Sequence, residues 1–75
     1  MQYINTMSAN GSARSILHYE PHPGQHISYK GESGRAAGRG KDGWFYIIWM
    51  KDCIDAIDAS KKLKEVREQL RNGDL

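Results

Sequence analysis

Seven consecutive residues, Trp44-Phe45-Tyr46-Ile47-Ile48-Trp49-Met50, are all large and apolar, and they stand in a chain of only 75 residues. Aromatic and β-branched side chains at this density favour an extended strand, and the Asp42-Gly43 pair just before it is a turn signal. Alternation along the strand sends Trp44, Tyr46, Ile48 and Met50 to one face and Phe45, Ile47 and Trp49 to the other, so neither face is polar. Both faces must therefore be covered. One helix covers one face of a small sheet, and the other face is expected to meet loops, the N-terminal segment or a second copy of the chain. A homodimer is the expectation that follows.

The helix comes next in the chain. Ala56, Ala59, Leu63, Val66 and Leu70 recur at spacings of three and four, one narrow apolar stripe along an otherwise charged rod. The pattern predicts a helix over about 53–72, with Asp52 as the cap, Asp55 three residues later in a capping-box arrangement, and Asn72-Gly73 as the stop. Its charges read as a solvated face, with Asp58 and Lys62 an i,i+4 pair in the favourable order.

Upstream, Ser12 to Glu20 and His26 to Lys30 read as two strands around the turn Pro21-His22-Pro23-Gly24. With His18 opposite His26, Leu17 faces Ile27, and the apolar residues Ala13, Leu17, Tyr19, Ile27 and Tyr29 share one side. Gln2 to Met7 is a further short strand. The expected fold is α+β: one small domain spanning 1–75, an antiparallel sheet of three to four strands with one C-terminal helix packed on it.

Charge singles out one segment. Overall the chain carries a formal +2, far from the strongly basic balance of many nucleic-acid-binding domains, but residues 30–41 hold Lys30, Arg35, Arg39 and Lys41 against Glu32 alone. In Gly31 to Gly43, five of thirteen residues are glycine, which reads as a flexible loop able to bring cations and backbone amides close to an anion. It is not a Walker A loop: Arg35 stands where the first glycine belongs, and Asp42 stands where the Ser or Thr after Gly40-Lys41 belongs. The expected phosphate-contacting residues are Lys30, Arg35, Arg39 and Lys41, with Arg14 beside them.

Other candidates carry less chemistry. His18, His22 and His26 are spaced by four, but Pro21, Pro23 and Gly24 forbid the helix that would align them for zinc, so exposed histidines are the plainer account and no cofactor is expected. Cys53 is the only cysteine, which excludes an internal disulfide, and the nearby Asp52 and Asp55 disfavour a thiolate. Asp52, Asp55 and Asp58 read as cap and surface charge rather than an acid–base pair. No enzyme is expected. Trp44, Tyr46 and Trp49 are candidates for a stacking platform or an interface, wherever the helix leaves a face open.

The longest apolar run is too short for the roughly 20 residues of a membrane span, and no secretory layout opens the chain, so a cytoplasmic protein is expected. The function expected is a non-enzymatic small binding protein that engages nucleic acid, or a nucleotide, through the basic glycine-rich loop. The alternative is a protein-interaction module, such as a small inhibitor or adaptor encoded by a mobile genetic element, acting through its aromatic strand face on a larger protein target.

Overall fold

The computed structural model describes residues 2–9 and 11–75. Five strands, β1 (Ile4–Ser8), β2 (Ala13–Leu17), β3 (His26–Tyr29), β4 (Glu32–Arg39) and β5 (Phe45–Trp49), lead through a single 3-10 turn (Met50–Asp52) to one helix, α1 (Ala56–Asn72). They form one sheet in the order β2-β1-β5-β4-β3, with β1 and β5 parallel and every other neighbouring pair antiparallel. The α+β class and the C-terminal helix are as expected. The sheet is larger than expected and mixed, because β1 joins its centre alongside β5. No helix among the described residues is long and apolar enough to cross a membrane.

β5 lies at the centre because it is apolar on both faces, and all five of its residues are buried. Phe45, Ile47 and Trp49 enter a core with Ile16 and Leu17 of β2, Ile27 of β3 and Ala36 of β4. β2 and β3 are the two edges of the sheet. Their side chains meet in one cluster because the sheet curls around that face. Tyr46 and Ile48 point the other way, where α1 packs along β4 and β5. On α1, Ala59 is buried and Leu63, Val66 and Leu70 are half-buried, as the stripe requires. The cover that β5 needs thus comes from this same chain, by curl on one side and helix on the other.

The expected hairpin between Ser12–Glu20 and His26–Lys30 does not form. β2 pairs with β1, through Asn5↔Ser15, Thr6↔Arg14 and Met7↔Ala13, and β3 pairs with β4, so His18 and His26 are not opposite one another. Residues 18–25 instead carry the chain from one sheet edge to the other, with Pro21 buried on the way. The segment is held by Gly24 N–H donating to Ala36 O at 2.6 Å and Ala36 N–H donating to Gln25 O at 3.0 Å. β3 reverses into β4 at Lys30-Gly31, where both φ angles are positive, 49° and 80°. That is the backbone a two-residue hairpin turn needs to match the strand twist.

Residues 31–43 are not a flexible loop, since 32–39 form β4 between β3 and β5. Its glycines serve packing. A Cβ at Gly34 would lie 2.8 Å from Trp49 Cε3, and one at Gly38 would lie 3.3 Å from Leu70 Cδ1. Missing side chains let β4 fit against the Trp49 ring on one face and α1 on the other. Gly38, at φ 142°, also takes up the register shift between Ala36 and Gly38.

α1 begins three residues later than expected. Asp55, not Asp52, is the cap: its Oδ1 accepts from Asp58 N–H at 2.8 Å, and Asp58 Oδ2 accepts from Ile54 N–H at 3.1 Å. Residues 50–52 are held in the preceding 3-10 turn, closed by Cys53 N–H donating to Met50 O. The helix stops where expected, at Gly73 with φ 78°.

Candidate functional site

The apolar stripe of α1 decides where its cations go. Lys64, Arg67 and Arg71 each follow a stripe residue by one position, which turns them about 100° round the helix onto a single flank. Ser60 follows Ala59 in the same way. These four residues, with Leu63 and Glu68, line a groove of about 360 Å³. A second hollow of about 350 Å³ includes Arg35, Gly24, Met50 and Ala59, and shares Ser60 and Leu63 with the first. The two run on from each other along one side of α1, with Arg35 of β4 at one end and Arg71 at the other.

At the Arg35 end of these hollows the sheet presents exposed polar residues. His26 pairs with Arg35 and Ser28 with Ser33, while the pair between them, Ile27 and Gly34, points into the core. Alternation places His26, Ser28, Ser33 and Arg35 on the opposite face, the face that α1 lies on, and all four are exposed. Of these four only Arg35 lines a hollow, so it alone links the strand face to the basic flank of the helix.

The helix wall of the groove is predominantly basic, with Glu68 the carboxylate among its three cations. Among the described residues the ion pairs are Arg39–Glu20 at 2.5 Å, Lys51–Glu32 at 3.0 Å and Lys62–Asp58 at 3.2 Å, and none involves Lys64, Arg67 or Arg71. Arg35 Nη1 donates to Gly24 O at 3.2 Å, which fixes the guanidinium beside the groove without cancelling its charge. Arg67 and Arg71 are four apart on one helix, a like-charge pair that costs the isolated helix about 0.2–0.5 kcal/mol. Glu68, three residues before Arg71 and in the same groove, offsets part of that repulsion without forming an ion pair.

Of the five cations expected from the sequence, only Arg35 lines the groove. Arg39 is engaged, its Nε and Nη2 donating to Glu20 and its Nη1 to Gly43 O at 2.6 Å. Lys30 sits in the β3–β4 turn and Lys41 beyond the far end of β4, so the length of that strand, about 26 Å, separates them. Arg14 is exposed on β2, at the opposite sheet edge from β3. The expected basic loop is therefore dispersed by β4. Lys64, Arg67 and Arg71 were hidden in what reads as a solvated helix face, although each cation trails a stripe residue by one position, a signal present in the sequence.

The aromatic platform is also corrected. Tyr46 and Trp49 are buried and offer no open ring face, while Trp44 is half-buried. His18 packs against Tyr3 with ring centroids 4.3 Å apart, His22 lies in the crossing segment and His26 is exposed on β3, paired with Arg35. Among the described residues no three His, Cys, Asp or Glu side chains gather as a metal site. Burial pushes the Cys53 thiol above its ordinary pKa, with Asp58, Asp52 and Asp55 adding to the shift against Lys62. That group is poorly suited to nucleophilic attack at neutral pH.

No family model, curated protein or solved structure matches this chain.

Proposed function

We propose that this chain is a non-enzymatic binding protein that holds the phosphate backbone of a nucleic acid against the basic flank of α1. The observation that carries the reading is the row of Lys64, Arg67 and Arg71, with Arg35 in the adjoining hollow, outside the ion pairs that occupy Arg39, Lys51 and Lys62 and against the single carboxylate of Glu68. Cations in such a row neutralise successive phosphates and release the counterions those phosphates had condensed. A nucleotide would meet the same groups with fewer charges and so bind more weakly.

Fluorescence anisotropy with labelled single- and double-stranded oligonucleotides tests this. Replacing Lys64, Arg67 and Arg71 together with Gln is expected to weaken binding at least about tenfold and to flatten the log–log salt dependence by about one unit per cation removed. The pair Lys30→Gln and Lys41→Gln, away from the groove, should leave both quantities nearly unchanged. The reverse pattern, or absence of binding to either nucleic acid at low salt, would overturn the proposal.

A second reading is favoured by one observation. Ile54 and Ile57, three residues apart at the start of α1, are 91% and 81% exposed. Two bare isoleucines flanking the Asp55 cap suit a contact with another protein, through this corner rather than the buried aromatic strand. The double variant Ile54→Ser, Ile57→Ser should keep the stability of the parent within about 0.5 kcal/mol. Under this reading the double variant loses a salt-insensitive protein partner that the Gln variants of the groove retain.

A further inference from the structure

We propose that two copies of this chain meet at the Ile54–Ile57 corner when a duplex holds them side by side, so that their basic flanks run on as one surface. The inference rests on the nucleic-acid reading above and gives the corner a second copy of this chain as its partner.

The corner belongs to the same side of α1 as the cations. Ile57 stands seven residues before Lys64, two turns of helix less about 20°, so it shares a flank with Lys64 and Arg71. It is 81% exposed there, and Ile54, across the Asp55 cap, is 91% exposed. Arg35 lines a hollow with Ala56 and Ala59 of the first helical turn, and so marks this end of the row. From Ile57 to Arg71 is about 21 Å along the helix. A second copy joined at Ile57 through a two-fold axis extends the row at its open end, with the Arg71 of each copy outermost.

The order of charges suits a copy of the same chain. Asp55 precedes Ile57, and Lys61 follows it by one turn; both are exposed, and neither is in an ion pair among the described residues. A two-fold axis reverses that order in the second copy, which sets isoleucine against isoleucine and brings the Lys61 of one copy towards the Asp55 of the other. A partner of one sign would be attracted by one of these groups and repelled by the other.

The contact is small. Two isoleucines and a charge pair each way fall well short of the ~800 Å² per partner that a standing dimer buries. The free chain is therefore expected to be a monomer at micromolar concentration, and the pairing forms where a duplex raises the effective concentration of neighbours to about millimolar. A duplex suits such a pair because its own two-fold symmetry matches that of the two copies. Arg35, Lys64, Arg67 and Arg71 of both copies then act on one ligand.

The test is titration of the full chain, by fluorescence anisotropy, onto a hairpin with a stem of about 8 base pairs and a duplex of about 24, roughly 27 and 80 Å long. The hairpin has length for one row and the duplex for two. The parent is expected to bind the hairpin with a Hill coefficient of about 1 and the duplex with about 1.5 or more. The double variant Ile54→Ser, Ile57→Ser should bring the duplex value to about 1 and leave hairpin affinity within about twofold. Ile57→Cys should give a disulfide-linked dimer on the duplex under mild oxidant, where the parent, with Cys53 alone, gives none. Since both isoleucines are exposed, the variants are expected to fold, and circular dichroism checks it. Non-cooperative binding of the parent to the duplex, cooperativity that survives the double variant, or absence of the cross-link overturns the pairing. The nucleic-acid reading stands in each of those cases if the hairpin still binds through Lys64, Arg67 and Arg71. Failure of both probes to bind overturns the two proposals together.

Discussion

A methyl group at Gly34 would sit 2.8 Å from Trp49 Cε3 and 3.0 Å from both Ile47 Cγ2 and Ile48 O, on rigid central strands. Gly34→Ala is therefore expected to cost about 1–3 kcal/mol of stability, read as a lower urea midpoint, where the substitution in an open strand would be harmless. Tyr46 and Asp42 offer a different residue-scale test. The Tyr46 hydroxyl donates to Asp42 Oδ2 at 2.7 Å and Trp44 N–H donates to Oδ1 at 3.0 Å. These bonds, Tyr46 foremost, hold the Asp42 carboxyl below its ordinary value of 3.8, and the same carboxylate raises the Tyr46 phenol above 10.0. A depressed carboxyl favours the folded state above its unfolded pKa, and that gain is lost as pH falls through the folded value. A raised phenol favours folding below its unfolded pKa, and that gain is lost as pH rises through the folded value. Tyr46→Phe should lower the urea midpoint at pH 7 and lessen its further fall between pH 4 and pH 2. An unchanged acid limb would show that the bond is not formed in solution. Neither contact could be read from the chain: glycine at position 34 has the same composition signature in a loop as beneath a tryptophan.

At the scale of elements, the start of α1 shows how a correct pattern leaves its register open. Asp52, Asp55 and Asp58 are spaced by three, so two overlapping capping boxes are written there, and only the 3-10 turn at Met50–Asp52 selects the second. Asp55→Ala is expected to cost about 1 kcal/mol and Asp52→Ala far less, by chemical denaturation monitored at the helix signal. Equal costs would return the cap to Asp52. The strand Trp44–Met50 and the stop at Gly73 were legible, since apolar density and a left-handed glycine act locally. Strand partners were not. Leu17 and Ile27 look like hairpin partners by alternation and do share a core, but they come to it from opposite sheet edges, because the curl that joins them is a property of five strands together. Lys30-Gly31, a turn that defines the real hairpin, lacks the Asn-Gly or Asp-Gly signature that would have announced it.

For the whole molecule, clustering in sequence proved a poor guide to clustering in space. Lys30, Arg35, Arg39 and Lys41 are near neighbours along the chain, and an extended strand spreads them, whereas Lys64, Arg67 and Arg71 are gathered by one helical flank and joined by Arg35 from the sheet. The groove variants thus separate two pictures of the protein, a basic loop and a basic helix flank, by which set of cations the salt dependence follows. The place of β5 has one more consequence. It lies between β1 and β4, and is the last of the five described strands in chain order. Order of synthesis and order in the sheet are opposed, for the middle is made last. Until Trp49 has left the ribosome, the β1–β2 and β3–β4 hairpins have no common neighbour and no shared interior, so the nascent chain carries two separate flaps awaiting their spine. Cutting the backbone between Arg39 and Phe45 would leave both flaps on one fragment and the spine on the other, each needing the other to hold a shape.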